Sequence, residues 1–170
     1  MIKERYEEAV KFHGHRCPGL AIGVRAAEEA RRQLGAEAGQ DTDIVCVAES
    51  MACYIDGIQS LLGCTFGNGR LLYRPTGKCA FSFFDKVSGE SLRLVMGKLP
   101  RDIRGEEKID FILTAPLEQL FTAGKPRRPL PEKGKKVPGQ LCAGCGEWTD
   151  GDMLREKDGR VLCPDCAEAI

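Results

Sequence analysis

The sequence predicts an α+β core followed by a small four-cysteine finger, and three observations carry that expectation. Apolar residues recur at helical spacing near the start of the chain, short β-branched and aromatic runs bounded by turn residues come later, and two CxxC pairs close the C-terminal end. Helices and strands do not follow strict βαβ alternation, which favours an α+β core over a doubly wound parallel sheet. At 170 residues the chain is long enough for one well-packed domain and an appendage, and short for two full cores.

The elements follow in order. Ile2, Tyr6, Ala9 and Val10 lie at helical spacing, so residues 2–12 form an amphipathic helix that ends before His13. A second helix runs from Pro18 to about Leu34. Proline suits its first turn, Leu20, Val24, Ala27 and Leu34 share one side, and Gly35 stops it. DIVCVAE (43–49) and CAFSFF (79–84) read as strands, with Cys46 and Cys79 as core packing. Residues 88–98 and 105–113 read as further helices. No internal repeat is present.

Residues 125–140, KPRRPLPEKGKKVPGQ, hold four prolines, six basic residues and one acidic residue, without apolar periodicity. This basic linker divides a core, 1–124, from a cysteine-rich tail, 141–170. Lys+Arg and Asp+Glu balance at 25 each over the chain, which gives no reason to expect a polyanionic partner or a membrane surface. The N-terminal residues carry charges of both signs, and no segment approaches the roughly 18 apolar residues of a transmembrane helix. The expected location is the cytoplasm. Nine cysteines in a reducing compartment, an odd number, point to metal ligation or thiol chemistry rather than a disulfide framework.

Cys142, Cys145, Cys163 and Cys166 form two CxxC pairs at the spacing that closes a tetrahedral zinc site. The tail has little apolar stock beyond Leu141, Trp148, Met153, Leu154, Val161 and Leu162, so the metal supplies much of its folding energy and is structural. Two disulfides and an iron site are the competing readings. Rubredoxins also pair CxxC motifs, but with a glycine after each pair, where Ala167 stands here. A knuckle CAGCG, a hairpin turning near Asp158 and Gly159, and a short helix begun by Pro164 resemble a treble-clef finger of the DksA/TraR type. With three basic and seven acidic residues, the tail is a poor phosphate-backbone binder, so nucleic acid is a minor expectation that only the linker supports.

The core carries a second chemistry. His13, His15 and Cys17 stand within five residues, and the chain has no other histidine. If a helix starts at Pro18, Cys17 is its N-cap, where unsatisfied N–H groups and the helix dipole favour thiolate. Two nearby imidazoles supply further ligands or a proton acceptor. A plain capping turn is the competing reading. ESMACYIDGIQSLLGCTFGNGR (49–70) adds Cys53 and Cys64. Continued as one helix, it places both thiols on the arc opposite Tyr54, Ile55, Ile58, Leu61 and Leu62, and so in a polar site. Eleven residues of helix separate them by roughly 16 Å, too far to share one metal. Either Gly63 ends the helix and GCTFGNG folds back, or only one thiol joins His15 and Cys17. Gly67, Asn68 and Gly69 serve a turn or a close ligand approach equally well.

FHGHRCPGLAIGVRA, the Cys53-x-x-Asp56-x-x-Gln59 run and GCTFGNG together resemble the FmdE family, named for the FmdE component of molybdenum or tungsten formylmethanofuran dehydrogenase. The resemblance spans most of residues 5–124, and some members of that family carry a C-terminal treble-clef zinc finger. It implies a core metal or active site at His13, His15, Cys17, Cys53 and Cys64, with Asp56 as a nearby polar residue. It also implies a homodimer and an accessory role beside a molybdenum or tungsten enzyme. The chain is not the catalytic molybdopterin component of that enzyme, being too short and lacking ferredoxin-type cysteine runs. The expected function is a zinc- and metal-binding accessory protein with a second, unidentified core metal. The alternative is a thiol, sulfur or metal carrier to such an enzyme.

Overall fold

The computed structural model describes residues 1–35, 43–132 and 137–169, which form two compact units, Met1–Leu130 and Pro131–Ile170. The first unit opens with α1 (Ile2–His13) and α2 (Pro18–Gln33), both where apolar spacing predicts helices. Strand β1 (Ile44–Ala48), α3 (Tyr54–Leu62), β2 (Leu71–Tyr73), β3 (Ala80–Asp85) and β4 (Ser91–Met96) follow. The unit closes with α4 (Gly105–Thr114), the single turn α5 (Leu117–Leu120) and β5 (Phe121–Gly124). The strands form one sheet in the order β2-β1-β3-β4-β5, parallel at β1–β2 and antiparallel elsewhere.

Alternation along the strands decides what faces the helices. Cys46, Ala48, Phe81, Phe83, Leu92 and Leu94 join one buried cluster with Tyr6, Leu20, Val24, Ile58 and Ile112. Their neighbours Val47, Ser82 and Arg93 lie in register on the opposite face. There Arg93 Nε and Nη2 donate to Glu49 Oε1 at 2.9 and 2.6 Å, while Thr76 Oγ1 donates to Glu49 Oε2 at 2.7 Å. Residues 88–98, expected to be helical, therefore contain a strand: Leu92 and Leu94 point one way and Arg93 the other, a period of two. Strands β2 and β5, only three and four residues long, had no sequence signal.

Two glycines set the position of α3. A Cβ on Gly23 would overlap the Tyr54 carbonyl, and one on Gly57 would lie 2.7 Å from the Leu20 carbonyl oxygen. Helices α2 and α3 therefore touch backbone to backbone, which brings their N-termini together. Arg25 on α2 donates to the carbonyls of Leu113 and Ala115 at 2.9 and 2.8 Å, satisfying the free end of α4.

In the second unit, β6 (Gln140–Leu141) and β7 (Trp148–Thr149) pair around the first two cysteines of the tail. Gln140, expected in the linker, already belongs to that hairpin, and linker residues 133–136 lie outside the described residues. A 3-10 turn (Gly151–Met153) precedes β8 (Arg155–Lys157) and β9 (Arg160–Leu162), which pair through Asp158 and Gly159 at φ 52° and 71°. Pro164 begins α6 (Pro164–Glu168), as its position predicts.

Candidate metal centres

The core centre is built where α1 ends, α2 begins and α3 begins. Gly14, at φ 93°, closes α1 by donating its N–H to the Val10 carbonyl at 2.8 Å, and the chain reverses at once into Cys17. Cys17 is the N-cap of α2, its extended backbone letting Sγ accept the Leu20 N–H at 3.3 Å. The buried Tyr6 hydroxyl accepts the Cys17 N–H at 2.9 Å and donates to the Cys17 carbonyl at 3.2 Å. Arg16 lies 5.2 Å above the Tyr6 ring and is held by both oxygens of Glu106, at 2.9 Å each, and by Glu7. The turn is thus fixed from below and from the side.

Cys53 is the N-cap of α3, and the close α2–α3 crossing brings it to Cys17. A Cβ on Gly19 would stand 3.1 Å from the Cys53 Cβ and 3.8 Å from both sulfurs, so glycine keeps the space between them open. His13, His15, Cys17 and Cys53 each present a ligand atom, all within 4.8 Å of one another. His13 Nδ1 donates to Asp56 Oδ2 at 2.7 Å, and Asp56 Oδ1 accepts from Gln59 Nε2 at 2.9 Å. A carboxylate only accepts, so this bond fixes the tautomer and leaves Nε2, 3.8 Å from Cys17 Sγ, as the lone-pair donor. Burial and then the neighbouring Cys17 thiol push the Cys53 pKa up, because two thiols side by side do not both ionise readily without a cation.

Cys64 does not belong to this group. Gly63, at φ 60°, ends α3, so Cys64 leaves the helical arc on which its polar orientation was expected. It is fully buried, its thiol donates to the Ile44 carbonyl at 3.0 Å, and burial raises its pKa to about 11. The loop beyond it is a self-satisfied turn. Asn68 Oδ1 accepts from the N–H groups of Thr65 and Arg70 at 3.1 and 3.0 Å, and Nδ2 donates to the Gly63 carbonyl at 2.6 Å. Tyr6 and Gln59 are the supporting residues that sequence reasoning passed over. Tyr6 reads as one more apolar-face position, and only its hydroxyl marks it as different.

In the second unit Cys142, Cys145, Cys163 and Cys166 also present sulfurs within 4.8 Å of one another. Cys142 Sγ accepts the N–H of Cys163 at 3.2 Å and of Gly144 at 3.3 Å. Those bonds, the Cys163 N–H first, lower its pKa to about 6, while hydrogen bonds to the Cys163 and Cys142 thiols raise that of Cys166 to about 12. One thiolate is favoured and the others resist ionisation, the balance expected of a site completed by a cation. Gly144 makes room for the cluster, since a Cβ there would lie 2.8 Å from Cys166 Sγ.

Fold and sites together define a two-unit α+β protein with two Cys/His clusters capable of holding metal ions. The FmdE family, described as "FmdE, Molybdenum formylmethanofuran dehydrogenase operon", matches residues 12–122, and the chain belongs to that family. The fold is similar to that of an FmdE-like protein of the tungsten formylmethanofuran dehydrogenase type from Syntrophus aciditrophicus. The TM-score is 0.72 and the identity 24%, over 99% of this chain and 92% of that one. A probable S-adenosyl-L-methionine-binding protein of Archaeoglobus fulgidus is 38% identical over 90 residues, which make up 51% of this chain and 25% of that relative. The match thus spans about a quarter of that relative's length. Among the described residues no helix is long and apolar enough to cross a membrane.

Proposed function

We propose that the chain is a metal-binding accessory protein whose core centre holds a divalent transition-metal ion on His13, His15, Cys17 and Cys53. Its second unit is a treble-clef finger of the DksA/TraR kind closed by structural zinc. The observation that carries the reading is the supported ligand set: four soft or borderline donors within 4.8 Å, one of them a histidine already oriented by Asp56. Such an ion supplies Lewis acidity. The protein's own part is to hold the donors, keep His13 in one tautomer and leave one side of the centre accessible through His15. Association with a molybdenum or tungsten enzyme, a second copy as partner and a cytoplasmic location rest on family likeness. Elemental analysis of the purified protein tests the metal reading. It should give two ions per chain, one lost with Cys17→Ser and the other with Cys142→Ser, whereas one ion that is indifferent to Cys17→Ser removes the core centre.

The partial exposure of Cys17 and Cys53 favours a second reading, a thiol or metal carrier. Iodoacetamide at about pH 6 separates the two, since a carrier labels rapidly at Cys17 in metal-loaded protein and a closed centre protects it.

A further inference from the structure

We infer that His15 is the exchangeable ligand of the core centre and that its coordination position accepts an external thiol while His13, Cys17 and Cys53 retain the ion. The inference rests on the metal reading above and follows from the unequal anchoring of the four donors. His13 is nearly enclosed, its side chain 10% exposed, and its Nδ1 is tied to Asp56, which is tied in turn to Gln59. Cys17 is held at three points: its sulfur by the Leu20 N–H, and its own N–H and carbonyl by the Tyr6 hydroxyl. Cys53 is placed by the glycine-tight crossing of α2 and α3.

His15 has none of this. Its ring makes no hydrogen bond among the described residues, it is exposed, and its one ring contact is with His13 at 4.4 Å between centroids, tilted by 36°. It follows Gly14, whose left-handed backbone has open space where a side chain would begin. A ligand without an outer partner has no fixed ring orientation and must give up rotamer freedom each time it binds. The three anchored donors do not have that cost. The centre thus has one weakly held position, on its solvent side.

A thiol suits that position, because the donor set already contains two sulfurs and a borderline-soft ion takes a thiolate in preference to a histidine that lacks support. In the exchange the bond from the ion to the His15 nitrogen breaks and a bond to the incoming sulfur forms. The thiol's proton passes to the released imidazole, so charge and atoms balance.

The test uses the full-length protein, with the finger loaded first with Zn2+ and the core then titrated with Co2+. Binding is read from affinity and from the visible and near-ultraviolet bands. His15→Ala should still take up the second ion, its affinity reduced by less than the about 10–100-fold that removal of an outer-shell partner costs, and with altered ligand-field bands. Addition of 2-mercaptoethanol should produce a new sulfur-to-cobalt band, at lower thiol concentration in His15→Ala than in wild type. His13→Ala and Cys17→Ser should lose the second ion. The inference is overturned if His15→Ala loses the ion as completely as His13→Ala, if its spectrum superimposes on that of wild type, or if the thiol changes neither spectrum. A wild-type chain that takes up no second ion brings down the core-metal reading itself, a result distinct from these three.

Discussion

Asp56 and Tyr6 act on the core centre without being among its donors, and each makes a separable prediction. Asp56→Asn keeps the shape but removes the charge that orients and strengthens His13, so core metal affinity should fall about 10–100-fold while finger metal is unchanged. A competition titration with a chromogenic chelator measures both. Tyr6→Phe leaves the packing of a fully buried ring intact and strips the hydroxyl from the Cys17 N–H and carbonyl. The cost should be about 1–3 kcal/mol of stability, seen in urea unfolding, together with weaker core metal binding. Residue chemistry at the turn was legible in sequence because histidine and cysteine are concentrated there. Cys64 was misplaced because its orientation depends on where the helix stops, and Gly63 permits either a stop or a continuation until its φ is known.

At the scale of elements, the crossing of α2 and α3 makes the centre possible. Gly23→Ala places a methyl group against the Tyr54 carbonyl, and overpacking of this kind costs about 1–3 kcal/mol or more. The helices should part enough to separate Cys53 from Cys17, lowering core metal occupancy although no ligand is altered. Elemental analysis beside a thermal melt checks both effects, and a variant that melts early yet keeps its core metal would show that the crossing does not position the ligands. Long amphipathic helices were legible because each carries several turns of apolar spacing between clear start and stop signals. The strand β4 was not, since Arg93 interrupts its apolar run and finds its reason only in Glu49, 44 residues away. Strands as short as β2 and β5 are fixed by their neighbours in the sheet rather than by their own residues.

At the scale of the molecule, the two units owe their stability to different things. The core unit has a continuous apolar cluster and a buried ion pair, Glu49–Arg93, with side chains 11% and 8% exposed. Burial alone would raise the Glu49 pKa, but the bonds from Thr76 and Arg93 outweigh it and hold the carboxyl below its usual 4.5. A lowered folded pKa means stability that is fully present above the unfolded value and is lost as pH falls through the folded one. Glu49→Ala should therefore cost about 3–5 kcal/mol near neutrality, and the gap to wild type in denaturant melts should narrow below about pH 4.5. The finger has little apolar core: Leu141 and Trp148 are 61% and 68% exposed, while Leu162 and Cys142 are buried. A strong chelator should open residues 137–169 to proteolysis and leave the core unit resistant.

Whether the core holds a metal ion is tested most directly by a crystal structure of the metal-loaded protein, with anomalous difference maps collected on both sides of the metal's absorption edge. Two peaks per chain are expected: one among the sulfurs of Cys142, Cys145, Cys163 and Cys166, the other bounded by His13 Nε2, Cys17 Sγ and Cys53 Sγ with His15 adjacent. A single peak in the finger, with the His13–Asp56 pair intact and no density between Cys17 and Cys53, would contradict the two-centre reading.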